Sequence, residues 1–192
     1  MDIDQLELPK ETIEFIHNYS FEENEFECLN LELVSNSNGF LLNVKEWTLK
    51  NDWSLSILNN DFKVKFLVSL NKFQPYLVIA ENSNTGNLIT ISQPDGEIFE
   101  LEHEVTERVE KYFVNSSIEN MISCIKCFNE YWHLIIEVHQ EEKLISIFNE
   151  LKEKLIALDE KVLINEDDYN RQFWNTIFHG KLTFFTSRLK EK

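Results

Sequence analysis

The stretch that decides the fold reads Tyr76-Leu-Val-Ile-Ala-Glu-Asn82-Ser-Asn-Thr-Gly86-Asn-Leu88-Ile-Thr-Ile91-Ser-Gln93-Pro-Asp-Gly96-Glu97-Ile-Phe-Glu-Leu101. Its first five residues form a continuous apolar run, the pattern of a strand covered on both faces. Leu88 to Ile91 and Glu97 to Leu101 follow at short, regular spacing. The clusters between them, Asn82 to Gly86 and Gln93 to Gly96, are rich in the residues that build tight turns. Together they predict an antiparallel meander. Upstream, Val64, Phe66, Val68 and Leu70 alternate with Lys63, Lys65, Leu67 and Ser69, a period of two that predicts a further strand.

On either side of this region the period changes. Pro9 followed by Lys-Glu-Thr-Ile-Glu-Phe-Ile reads as a short N-terminal helix, because proline is tolerated near a helix start and acids suit its positive end. Ser116 and Glu119 have the spacing of a capping box ahead of a helical segment. In that segment Ile118, Met121, Ile122, Cys124, Ile125, Phe128, Tyr131, Trp132, Ile135 and Ile136 fall on about half the circumference. Leu144, Ile147, Phe148, Leu151, Leu155 and Leu158 mark a second helix, and Phe173, Trp174, Ile177 and Phe178 a short third one. No repeat, flexible linker or break in composition divides the chain. The expectation is a single α+β domain over residues 1–192, a largely antiparallel meander packed by an N-terminal helix and C-terminal helices.

Charge narrows the function. The chain of 192 residues carries 34 acidic side chains against 18 Lys and Arg, a net charge of −16, which argues against direct binding to nucleic acid or an anionic membrane. With 43% hydrophobic residues, 15 Phe and 4 Trp, it is too apolar for a disordered acidic tail. Its beginning has no basic segment leading into an apolar run, and no stretch approaches membrane-spanning length. Three cysteines are too few and odd in number for a disulfide framework, so a cytoplasmic location is expected. Residues 1–32 hold ten acids and one lysine, including Glu22, Glu23, Glu25 and Glu27.

Motifs for chemistry are sparse. There is no nucleophile elbow, Walker loop or dinucleotide fingerprint. Cys124-Ile-Lys-Cys127 lies two turns inside a helix, where a thiolate gains little from the helix terminus, and no second ligand pair completes a zinc site. Glu-x-x-His occurs at Glu14/His17, Glu100/His103 and Glu130/His133. Glu130 projects to the polar side of its helix, and Glu100 and His103, three apart in a strand, face opposite ways, which argues against a metal bundle. In an extended chain Glu100, Glu102 and Glu104 share one side, opposite Phe99, Leu101 and Val105. Such a comb of carboxylates on the solvent side suits either a basic partner or an edge strand guarded by charge against aggregation.

Tyr76-Leu-Val-Ile-Ala-Glu, Thr85-Gly-Asn-Leu-Ile-Thr-Ile-Ser, Asp95-Gly-Glu-Ile-Phe-Glu-Leu and Tyr112-Phe-Val-Asn-Ser-Ser-Ile-Glu-Asn-Met-Ile-Ser-Cys-Ile resemble the SUKH superfamily of bacterial immunity proteins, most closely its fourth subgroup. Asp159 with Phe173-Trp174 resembles the subgroup's C-terminal ending, so the likeness covers residues 76–178. It implies an α+β fold and a cytoplasmic protein that neutralises a cognate toxin, often a nuclease. It transfers no catalytic residue; Gly86, Gly96, Ser116 and Glu119 match positions that build turns and caps.

The expected function is therefore that of a non-enzymatic immunity protein, without metal or cofactor, which binds a toxin having a basic active-site cleft. Its candidate contacts are Glu22, Glu23, Glu25, Glu27, Glu100, Glu102 and Glu104. The alternatives are a protein-interaction module with no toxin partner, an enzyme whose site is assembled from distant residues, and a small-ligand site between sheet and helices. The sequence leaves the oligomeric state open.

Overall fold

The computed structural model describes residues 3–35, 40–51, 53–57, 59–103, 110–163 and 172–190. Among these, five strands form one antiparallel sheet in chain order: β1 (Leu31–Leu33), β2 (Tyr76–Asn82), β3 (Leu88–Ser92), β4 (Ile98–Glu102) and β5 (Glu110–Asn115). The expected meander is its centre. Both hairpin loops turn on a glycine at φ 73°, Gly86 and Gly96, whose amides donate to Asn82 O and Ser92 O at 2.8 Å. Neighbouring side chains brace each turn: Thr85 Oγ1 accepts from Asn87 N, and Asp95 Oδ1 from Glu97 N. A Cβ at Gly96 would lie 2.9 Å from Thr12 Oγ1 and 3.1 Å from Pro9 Cγ, so this turn needs glycine for close packing as well as for its backbone angle.

Seven α-helices accompany the sheet among the described residues: α1 (Lys10–Asn18), α2 (Glu23–Phe26), α3 (Val44–Asn51), α4 (Asn60–Ser69), α5 (Ile118–Glu137), α6 (Glu141–Leu158) and α7 (Phe173–Lys190). They cover both faces of the sheet. Leu77, Ile79, Ile89, Ile91 and Ile98 share one apolar core with Ile16 of α1, Phe26 of α2 and the inner sides of α5, α6 and α7. Val78, Leu88, Phe99 and Leu101 share a second with Val44 and Trp47 of α3, and with Leu70 and Phe73 of a short 3-10 turn. The continuous apolar run of β2 has this cause, since Leu77 and Ile79 enter the first core and Val78 between them the second.

Residues 60–69 are helical, which overturns the strand expected there. Asn59 caps the helix by accepting from Phe62 N at 3.0 Å, and Asp61 lies in the first turn. Phe66 and Leu67 pack against the second core while Phe62, Val64 and Val68 remain exposed. The alternation of Val and Lys thus reflects a surface helix that also carries apolar groups outward. β1 and α3 were not anticipated. The last helix runs for 18 residues instead of being short, because Leu182, Phe185 and Leu189 continue its contacts with the first core.

The start of α5 also departs from expectation, by one residue. Ser117, not Ser116, caps the helix, its hydroxyl accepting from Asn120 N at 3.1 Å. Ser116 N instead donates to Asp159 Oδ2 at 2.7 Å, and its hydroxyl accepts from Asn120 Nδ2. Asn115 Nδ2 donates to the same Asp159 oxygen at 3.0 Å, Trp174 Nε1 donates to Asn115 Oδ1 at 3.1 Å, and Lys161 N reaches Asp159 Oδ1 at 3.2 Å. Asn115, Asp159 and Trp174 are all buried. This network ties the end of β5, the start of α5, the end of α6 and the start of α7.

Replacing Asp159 with Ala strands the buried Asn115 amide and the Ser116 N–H, a loss of about 3 kcal/mol. The thermal midpoint of Asp159→Ala is expected to fall by roughly 6–12 °C, measured by calorimetry or circular dichroism.

Candidate functional site

Two places bring candidate side chains together. The first is a cleft of about 220 Å³ between the sheet and α7. Its sheet side carries Asn82, Thr85, Asn87, Glu100 and Tyr112, and its other wall includes Phe173 and Thr176. Glu100 does not join a solvent-facing comb: it is only 7% exposed, and β4 lies between β3 and β5 instead of at an edge. The alternation of side chains holds, but the face opposite Phe99 and Leu101 is the one covered by α5 to α7. Glu100 Oε1 accepts from Asn82 Nδ2 at 2.9 Å, Asn87 Nδ2 at 3.2 Å and Thr85 Oγ1 at 3.4 Å. Burial pushes its carboxyl above the ordinary value; Asn87, Asn82 and Thr85 oppose the rise, and Glu102 adds to it. Glu102, half-buried, accepts from Tyr112 Oη at 3.4 Å. Glu104 lies outside the described residues.

The second place is the N-terminal acidic cluster. Glu22, Glu23 and Glu27 are exposed on and beside α2. Glu25 is turned inward, accepting from Tyr19 Oη at 2.6 Å and lying 3.5 Å from Lys126 Nζ, so it fastens α2 to α5. Lys126 Nζ sits 4.8 Å from the centre of the Tyr19 ring, a cation–π contact. Phe15, Tyr19, Phe21 and Phe40 form a chain of ring contacts with centroids 4.9 to 5.5 Å apart. Tyr19, Phe21 and Phe40 also line a groove of about 420 Å³ that has Glu23 among its wall residues. The aromatic partners of the cluster went unnoticed in the sequence because Phe40 joins them from a distant segment.

The other motifs fall into place around these. Cys124 is buried with its thiol pushed up to about 12, chiefly by burial, and Cys127 is buried as well, although helical spacing had put it off the apolar arc. Glu100 and His103 do face opposite ways: His103 meets the edge of Trp47 at 6.1 Å on the far side of the sheet. Glu130 and His133 are exposed, Glu14 pairs with Lys10 and His17 with Asp4. Among the described residues no group of three or more His, Cys, Asp or Glu could hold a metal ion, and no helix is long and apolar enough to cross a membrane. Comparison of the chain with protein-family models, curated proteins and solved structures gave no match.

Glu100 carries a pH dependence of definite sign. Its folded-state pKa lies above the ordinary 4.5, so between 4.5 and that raised value the folded protein holds a proton that the unfolded chain has lost. Its contribution is complete below 4.5 and disappears as pH rises through the raised value. Glu81, pushed up by burial and by Glu32 opposite it in the β1–β2 register, acts in the same direction. Glu100→Gln keeps an acceptor for the three donors and removes the titration. Its thermal midpoint relative to wild type is therefore expected to rise from pH 4.5 to 7, as read by scanning calorimetry at half-unit steps.

Thiol chemistry gives a second check. Alkylation with iodoacetamide at pH 8, followed by mass spectrometry, is expected to modify half-exposed Cys28 first and to leave Cys124 intact until the protein unfolds.

Proposed function

We propose that the protein is a cytoplasmic, non-enzymatic immunity protein of the SUKH type that binds and blocks a cognate toxin having a basic active-site cleft, such as a nuclease. The observation that carries the reading is the exposed trio Glu22, Glu23 and Glu27 beside an aromatic groove, on a protein of net charge −16. Carboxylates at the rim steer a cationic partner into encounter, and the half-buried rings of Tyr19, Phe21 and Phe40 that line the groove supply area that holds it. The resemblance of residues 76–178 supports the same reading. Asn115, Ser116, Asp159 and Trp174, which carry much of that resemblance, form the buried network at the junction of β5, α5, α6 and α7. They therefore build the fold, and contacts with a toxin belong to the surface.

The test uses the toxin encoded beside the gene. Reversing Glu22, Glu23 and Glu27 to Lys is expected to slow association at least about ten-fold. The thermal midpoint should stay within about 2 °C of wild type, since exposed like charges contribute little to stability. Wild-type association should also slow as salt rises from 50 to 500 mM, which shrinks the screening length from about 14 Å to about 4 Å. Unchanged rates in both experiments would remove this surface from the interface and turn the search to the exposed apolar residues of α4. The absence of any neighbouring toxin gene would favour an interaction module without a toxin.

A further inference from the structure

The cleft under α7 has the makings of a ligand site separate from the acidic surface on α2. Glu100 is more than nine-tenths buried, yet all three of its hydrogen bonds fall on Oε1. Oε2 has no partner among the described residues. Nor does a cation pair with Glu100 there; the charged neighbour that bears on it is another carboxylate, Glu102. The three donors on Oε1 support this carboxylate without any cation among the described residues, so a cation received at Oε2 would balance its charge.

The surroundings define the cation. With a volume of about 220 Å³, the cleft falls below the roughly 300–1,000 Å³ of sites for drug-sized ligands, so it suits a small head group. Among the described residues one carboxylate lines it, beside the amides of Asn82, Asn87 and Gln172, and the first two are engaged with that carboxylate, a poor set for a metal ion that wants six or more oxygens. Tyr112 and Phe173 add aromatic rings to the wall, and rings attract a planar, weakly hydrated cation.

We propose that this cleft binds a guanidinium group, received by Glu100 Oε2 against Tyr112 and Phe173. Asn82, Asn87 and Thr85 are positioning residues: by occupying Oε1 they fix the carboxylate and leave its second oxygen for the ligand. The group can arrive on a free small molecule or on an arginine side chain of a docked peptide.

Amide chemical shifts of the full chain at pH 7.5 provide the test, with methylguanidinium and its uncharged isostere methylurea as probes. Methylguanidinium is expected to shift Asn82, Asn87 and Thr176 with a Kd on the order of 1 mM, and methylurea to leave them in place. Glu100→Gln should weaken binding at least about ten-fold. Thr176→Trp, a change on the exposed side of α7 that leaves Glu100 untouched, should abolish binding by filling the cleft. Agmatine and acetyl-arginine methylamide then separate the sources. Tighter binding of agmatine supports a free small molecule, and tighter binding of the capped arginine supports a peptide side chain. No shift with any cation, equal shifts with methylurea, or binding that survives both substitutions would overturn the proposal. Because the probes are small molecules, those outcomes leave the toxin-binding reading standing.

Discussion

The carboxylate of Asp159 is the point on which the C-terminal half of this molecule is organised. Its Oδ2 accepts from Ser116 N and Asn115 Nδ2, and Asn115 in turn accepts from the indole of Trp174. One buried oxygen thus holds the turn from β5 into α5, while the same side chain closes the end of α6. In a site that excludes water these bonds are worth more than the surface ion pairs of Lys10 or Lys190, whose partners water can replace. The helix cap falls on Ser117, while the preceding serine gives its N–H to Asp159 and its hydroxyl oxygen to the Asn120 side chain.

Around that node the sheet has two unlike faces. The larger core, under α5, α6 and α7, takes Leu77, Ile79, Ile91 and Ile98; the smaller takes Val78, Leu88, Phe99 and Leu101 against α3 and the turn after α4. Glu100 belongs to the larger side, and its burial there is supported by donors from the β2–β3 turn. That hairpin loop consequently has two tasks, reversing the chain through Gly86 and solvating an inward carboxylate with Asn82, Thr85 and Asn87.

Much of this was legible in the residues themselves. The meander was plain because apolar runs and Gly turns alternate with strand-length spacing, and α5 and α6 because their apolar stripes persist over many turns. Residues 60–69 misled for a physical reason: α4 buries only part of its circumference, so its apolar residues form no single stripe, and the Val-Lys alternation imitates a strand. The cap at Asn59 and Asp61 was the available counter-signal. The acidic comb misled differently. Strand alternation says which residues share a side but not which side faces water, and a carboxylate supported by two amides and a hydroxyl can take the inner one. Glu25 follows the same rule, drawn inward by Tyr19 and Lys126.

From β2 onward strand order in the sheet follows the chain with short connections, so the β2–β3, β3–β4 and β4–β5 pairs can each close from neighbouring sequence as soon as synthesis delivers it. The larger core is different. Most of its helical cover, α5, α6 and α7, comes from residues 118–190, α1 and α2 supplying the rest, and the Asp159 node needs Asn115, Ser116 and Trp174 together. Until Trp174 has left the ribosome, the part of that core which α7 closes stands open to other chains. The ten acids among the first 32 residues are then already present, and their mutual repulsion keeps unfinished copies apart during the interval when the open core would otherwise aggregate.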